Sequence, residues 1–327
     1  MKKAILTPAI CLLATTMFAQ FPPQGGMPPQ GGFAGFGGNQ SSTDTMQYSQ
    51  KFVDVNYAGD NSAYHNLDIY LPKERKDSYP VVVHIYGSAW FSNNSKGMAD
   101  LHTICAALLN AGYAVVTPNH RASGDAKFPA QIHDIKAVIR FIRGNAEKYK
   151  FDTTFIAASG FSSGGHLASL TATTRGLKTT NVDGYEIDLE GNIGDFTKFS
   201  SGVDAACDWS GPIDLRNMDC GESMKMPVSP EEILLGVPMK GNENRYKALS
   251  ATTYIDPSDP PLIVCHGKKD NVVPFCQGER FYNALKNGGV KTDFIPVDEG
   301  GHGMNMYSKE NLQKVVNFLN SARNNKK

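Results

Sequence analysis

Residues Ala158-Ser159-Gly160-Phe161-Ser162-Ser163-Gly164-Gly165 join a strand-like run, Phe155 to Ser159, to the start of a segment with helical spacing. A serine used as a nucleophile needs a tight bend, and glycines two residues before and after it keep the neighbouring backbone from colliding there. Ser162 has Gly160 and Gly164 at those positions, whereas Ser163 has Phe161 two residues before it. An ordinary Gly/Ser turn shares this composition, but the strand-to-helix setting favours Ser162 as a nucleophile.

Around this segment the chain alternates between two patterns. Phe52, Val53 and Val55, followed by Leu67, Ile69 and Leu71, read as a pair of short strands. Val81 to Tyr86 is a continuous apolar run suited to a strand buried on both faces, and Tyr113–Thr117, Val203–Trp209, Leu262–Cys265 and Phe294–Val297 are also strand-like. Ile132, Ile135, Ile139 and Ile142 fall on one helical face, as do Leu312, Val315, Val316 and Leu319. Strands alternating with helices predict an α/β fold: a mostly parallel eight-stranded sheet with helices on both faces, opened by an antiparallel pair. Two stretches break the rhythm, Arg175 to Ser200 and Met218 to Lys247, and are expected to run over the edge that carries Ser162 as a lid.

A serine hydroxyl needs a base, and the base needs an orienting carboxylate. After the next-to-last strand comes His266-Gly267-Lys268-Lys269-Asp270, and after the last Glu299-Gly300-Gly301-His302. The chain order Ser162, Asp270, His302 resembles that of the α/β-hydrolase triad. Asp298 and Glu299 are weaker candidates for the acid, being too near His302 in sequence to reach its far ring nitrogen. Backbone donors for a developing oxyanion are expected at Ser163 and, in the irregular loop Tyr86-Gly87-Ser88-Ala89-Trp90, at Gly87 and Ser88. Trp90 reads equally as a core residue or as a pocket wall; Trp209 and Phe128 are further candidate walls.

A family resemblance rests on several runs: Ala126 to Lys136, Gly160 to Ala168, Leu189-Glu190-Gly191-Asn192, Asp208-Trp209-Ser210-Gly211-Pro212-Ile213-Asp214-Leu215, and Asp270-Asn271-Val272-Val273-Pro274. Together they resemble the bifunctional acetylxylan/feruloyl esterase branch of the α/β-hydrolases, related to the hormone-sensitive-lipase-like esterases. The likeness covers the chain from about Lys51 onward. It implies hydrolysis of acetyl or feruloyl esters on an acylated plant polysaccharide or oligosaccharide, with Ser162, Asp270 and His302 as triad and Gly87, Ser88 and Ser163 as oxyanion donors. These relatives usually carry His-Gly-Gly-Gly-Trp where this chain has Tyr86-Gly87-Ser88-Ala89-Trp90, which alters how the loop is held and puts ester size preference in question.

The 32 basic and 32 acidic side chains leave no electrostatic reason to expect nucleic acid or an anionic membrane as partner. That balance covers unlike parts. Met1-Lys2-Lys3, an apolar run to Phe18 and then Ala19 have the order of a signal peptide, expected over 1–19 and directing export to the periplasm or medium. The run is too short to span a bilayer comfortably, so no integral membrane protein is expected. Residues 20–47, with Pro-Pro-Gln-Gly-Gly twice, are expected to be a disordered linker, and 48–327 the catalytic domain.

No His-x-x-x-His or Cys-x-x-Cys spacing suggests a metal, and no cofactor is expected. His84 reads as a hydrogen-bonded core residue and His166 as packing on the new helix. Five cysteines follow the signal; a Cys207–Cys220 bridge is conceivable, and Cys265 reads as a buried core residue. Two rival readings share the fold: peptide or amide hydrolysis by the same triad, and non-catalytic carbohydrate binding on a degenerate hydrolase, the latter suggested by the altered 86–89 loop.

Overall fold

The computed structural model describes residues 46–218, 220–221 and 226–326. The expected signal peptide and nearly all of the linker lie outside the described residues. In chain order the elements are β1 (Tyr48–Asn56), β2 (Asn66–Pro72), β3 (Tyr79–Ile85), α1 (Ile104–Asn110), β4 (Ala114–Pro118), α2 (Ala130–Gly144), α3 (Ala146–Tyr149), β5 (Phe151–Phe161) and α4 (Ser163–Thr173). There follow β6 (Thr179–Val182), β7 (Tyr185–Asp188), β8 (Ala205–Trp209), α5 (Pro230–Leu235), α6 (Glu243–Leu249), β9 (Leu262–Gly267), α7 (Cys276–Asn287), β10 (Thr292–Val297) and α8 (Lys309–Asn324).

Eight strands form one sheet in the order β1-β2-β4-β3-β5-β8-β9-β10. β1 pairs antiparallel with β2, and β2 antiparallel with β4; every other pairing is parallel. The mostly parallel eight-stranded sheet opened by an antiparallel pair, expected from the strand and helix pattern, is therefore present. Its two-sided core follows from the period of two along each strand. Val81, Val83 and Ile85 of β3 enter the cluster shared with α2 and α4, while Val82 enters the one shared with α1 and α8. In β9 Leu262 and Val264 face the first cluster, Ile263 and Cys265 the second.

Arg175 to Ser200 departs from expectation. It folds into the β6–β7 hairpin, turned by Asp183 and Gly184, both at positive φ, and docks along α2. Arg140 Nη1 on α2 lies 2.5 Å from Glu190 Oε1, Lys136 Nζ donates to the Thr174 carbonyl at 3.0 Å, and His133 Nε2 donates to the Asp188 carbonyl at 2.9 Å. Lys136 and Arg140 are buried, so a cation leaving Glu190 would be stranded away from water. The segment is a strap on a helix flank, and the lid expectation is corrected for it. Of the second stretch, α5 lies toward the Ser162 edge: Lys127 Nζ and the Phe128 N–H, in the loop after β4, donate to the carbonyls of Ile233 and Leu234 on α5.

The cysteine expectation is corrected too. Cys220 is bonded to Cys276, at the first residue of α7, across 56 residues of sequence. Cys207 is a buried thiol in β8, facing the sheet's second core cluster, and so cannot reach Cys220. Cys265 is buried as expected. Among the described residues no helix is long and apolar enough to cross a membrane.

Candidate active site

Parallel strands bring their carboxyl ends to one edge, and the chemistry-bearing loops follow from that. Ser162 follows β5, the Gly87 loop follows β3, Asp270 follows β9 and His302 follows β10.

The bend at Ser162 is as tight as the glycine spacing requires. Ser162 has φ 55° and ψ −122°, a conformation costly for a residue with a Cβ. Its N–H is held by the Trp209 carbonyl at 2.8 Å, and its carbonyl accepts from His166 N–H at 3.0 Å to begin α4. A Cβ at Gly160 would lie 2.1 Å from the Gly164 carbonyl oxygen, and one at Gly164 would lie 2.1 Å from that of Ile85, so neither position admits a side chain. Ser162 thereby sits at the positive end of α4, which favours negative charge developing nearby.

The three residues expected to act together are in contact. His302 Nε2 lies 3.0 Å from Ser162 Oγ, and His302 Nδ1 lies 2.9 Å from Asp270 Oδ2. A carboxylate only accepts, so Nδ1 carries the proton and Nε2 is left to accept from the serine hydroxyl. Asp270 Oδ1 accepts from the N–H groups of Val272 and Val273, both at 2.9 Å. Burial pushes the Asp270 carboxyl up, but the hydrogen bond and charge of His302, with those backbone donors, outweigh it and hold the group below its ordinary value. The rival acids point elsewhere: Asp298 pairs with Lys268 and Glu299 with Lys269 at the surface.

His266, in the quoted loop but assigned no role from sequence, proves to support Asp270. Its Nε2 donates to the Val273 carbonyl at 3.0 Å and lies 3.6 Å from Asp270 Oδ2. Burial holds its basicity down, so a neutral imidazole braces the turn whose N–H groups grip the carboxylate. Its place one residue before Gly267, at a strand end, was the available signal. Phe161 was also missed; its ring lies against that of His302, 4.7 Å between centroids.

The oxyanion expectation needs revision. Gly87 is pressed on the nucleophile: a Cβ there would come within 2.8 Å of Ser162 Cβ and of the Phe161 carbonyl oxygen. The N–H groups of Gly87 and Ser163 have no hydrogen-bond acceptor among the described residues. The Ser88 N–H, however, donates to Ser163 Oγ at 2.9 Å and is not directly open to a substrate oxygen. Tyr86, in place of the usual histidine, stacks on His120 at 4.9 Å and donates its hydroxyl to the Ser92 carbonyl at 2.9 Å, which pins the loop from below.

None of the three candidate pocket walls faces the site openly. Trp90 is buried edge-on against His166, Trp209 is buried edge-on against Tyr307, and Phe128 is buried beside α5. Large aromatic surfaces gain most by full burial, and here the core claims them. His84 bonds Ser159 Oγ and Asp100 within the core, and His166 bonds the Leu249 carbonyl, with burial lowering its pKa to about 4. Among the described residues no group of three His, Cys, Asp or Glu side chains is placed to hold a metal ion.

Comparison with known proteins gives the chain its relatives. The family described as BD-FAE matches residues 67–285, two thirds of the chain. A truncated carbohydrate esterase from gut microbiota is 42% identical, with a TM-score of 0.81 over 85% of this chain and 98% of its own. A bifunctional GH43-CE protein of Bacteroides eggerthii is 48% identical, with a TM-score of 0.80 over 84% of this chain and 35% of its own. The esterase LipQ of Mycobacterium tuberculosis is 29% identical over 75% of this chain. The chain spans about half the length of the curated relatives it matches: 55% of LipQ and 52% of an acetylxylan esterase of Xylanibacter ruminicola, to which it is 24% identical.

Proposed function

The chain belongs to the BD-FAE family, and from that footing we propose that it is an exported serine carboxylic ester hydrolase acting on acylated plant carbohydrate, removing acetyl or feruloyl groups from xylan. The observation that carries the reading is the continuous contact from Ser162 Oγ through His302 to Asp270. The likeness to a carbohydrate esterase and to an acetylxylan esterase supports the substrate class.

In this reading Ser162 Oγ attacks the ester carbonyl carbon as its proton passes to His302 Nε2. The carbonyl π pair moves onto oxygen, and the resulting anion is held by the N–H groups of Gly87 and Ser163. The proton on His302 then passes to the departing alcohol oxygen, leaving an acylated Ser162. Water, deprotonated by the same imidazole, releases the acid and restores the serine. Asp270 keeps the ring in the working tautomer and balances the imidazolium. A near-neutral protein suits a substrate whose reacting group is an uncharged ester.

The test is turnover of p-nitrophenyl acetate, methyl ferulate, an acetylated xylo-oligosaccharide and a dipeptide anilide by the wild type and Ser162→Ala. The expected result is hydrolysis of the esters, negligible action on the anilide, and loss of nearly all ester turnover in a still folded variant. A Ser162→Ala protein keeping more than about one per cent of the activity overturns the mechanism, since removing a triad nucleophile costs far more than about 10²-fold.

A further inference from the structure

Ser163 lies at the first position of α4 and is 1% exposed. Its Oγ accepts the Ser88 N–H at 2.9 Å, the donor that the sequence assigns to the substrate oxygen. A hydroxyl that accepts still has a proton to give, and among the described residues nothing accepts the proton of Ser163. Buried donors rarely stay unpaired, and one lying between the oxyanion loop and the nucleophile's own turn calls for an acceptor supplied from outside the chain.

We propose that the Ser163 side chain is a catalytic hydrogen-bond donor, relaying the Ser88 N–H to the oxyanion formed when Ser162 attacks; the proposal rests on the acyl-transfer reading above. Ser88 N–H polarises the Ser163 hydroxyl, and a chain of two hydrogen bonds strengthens each link. The Ser163 proton is not transferred: the carbon–oxygen π pair becomes the oxyanion, Ser162 gives its proton to His302, and Ser163 only donates a hydrogen bond. Because the acceptor gains full charge only in the tetrahedral state, the contact lowers the barrier without tightening ground-state binding. The hole then consists of two N–H groups, from Gly87 and Ser163, and one O–H.

The experiment uses the full chain with p-nitrophenyl acetate and phenylboronic acid, which adds reversibly to a serine oxygen as a tetrahedral mimic. Ser163→Ala is expected to lower kcat by about 10²-fold, the scale for loss of one oxyanion donor, to leave KM within about threefold, and to weaken boronate binding in step with kcat. Ser163→Thr, which restores a hydroxyl, is expected to recover most of both, and it carries the test should the alanine variant fold poorly. A Ser163→Ala protein with unchanged or raised kcat overturns the proposal, since Ser88 then serves the substrate directly and the hydroxyl is only a plug. A rise in KM at constant kcat overturns it as well. Ser162→Ala run in parallel separates the failures: if that variant stays active the acyl-transfer reading falls and takes this one with it, whereas an inert Ser162→Ala beside a fully active Ser163→Ala sinks the relay alone.

Discussion

The ring of Phe161 lies over the imidazole of His302, 4.7 Å between centroids with 42° between their planes. Tyr307 meets the same phenyl ring edge-on at 6.3 Å, so Phe161 is held from behind. During acyl transfer His302 becomes a cation, and an aromatic face within about 6 Å stabilises a cation by about 1 kcal/mol at a half-buried site. Phe161→Leu keeps apolar bulk but removes that face. Steady-state kinetics on a chromogenic acetate should show kcat reduced about fivefold with KM little changed; an unaltered kcat would show the ring to be filler.

Asp270 gives two signatures in one variant. Asp270→Asn keeps the side-chain shape but offers an amide where a carboxylate balances the imidazolium, and kcat should fall by about 10⁴-fold. Its carboxyl is held below the ordinary aspartate value of 3.8, so its contribution to stability is present above that value and is lost as pH falls through the lower folded value. Thermal melts between about pH 2 and 5 should therefore fall more steeply for the wild type than for Asp270→Asn.

Asp208 runs the other way. Its Oδ1 accepts from Gly211 N–H at 2.9 Å, its Oδ2 has no hydrogen-bond partner among the described residues, and burial raises its pKa from 3.8 to about 7. The unfolded chain ionises near 3.8 while the folded one stays neutral, so stability is fully present below 3.8 and drains away as pH rises to about 7. Between about pH 5 and 8 the wild type should lose up to about 3 kcal/mol that Asp208→Asn does not lose. Urea unfolding at both pH values measures this; parallel pH profiles in the two proteins would refute it.

The Cys220–Cys276 bridge closes a 56-residue separation and fastens the loop after β8 to α7, six residues beyond Asp270. Cys276→Ser should cost about 2–4 kcal/mol of stability, measured by denaturant unfolding. A reducing agent should destabilise the wild type and leave the variant untouched. Equal sensitivity of both would place the effect elsewhere.

Much of the fold was legible because strand and helix periods are local. The runs at Val81–Tyr86, Phe155–Ser159 and Leu262–Cys265 became strands because apolar residues without a helical period gain most as buried parallel strands. The Gly160-x-Ser162-x-Gly164 spacing announced the bend because it records a local steric need, visible as 2.1 Å clashes for any Cβ. Asp270 and His302 were legible from chain order, since in a parallel sheet successive strand ends meet at one edge.

Other features depend on distances across the chain that no local pattern encodes. Arg175 to Ser200 looked like a lid because length alone marks an excursion; buried Lys136 and Arg140, drawing in Glu190, decide that it straps α2. Cys220 pairs with Cys276 and not with the nearer Cys207, because the alternation of β8 turns Cys207 into the core. Trp90 reads equally as core or as pocket wall and Trp209 as a candidate wall; packing against His166 and Tyr307 decides that both are buried. By itself the sequence determined the strand series, the bend at Ser162 and the candidate triad, all consequences of local sterics and of topology. Only the tertiary structure decided that His266 braces Asp270 and that the Ser88 N–H ends on Ser163, because hydrogen bonds between distant segments depend on ångström-scale packing that chain order does not specify.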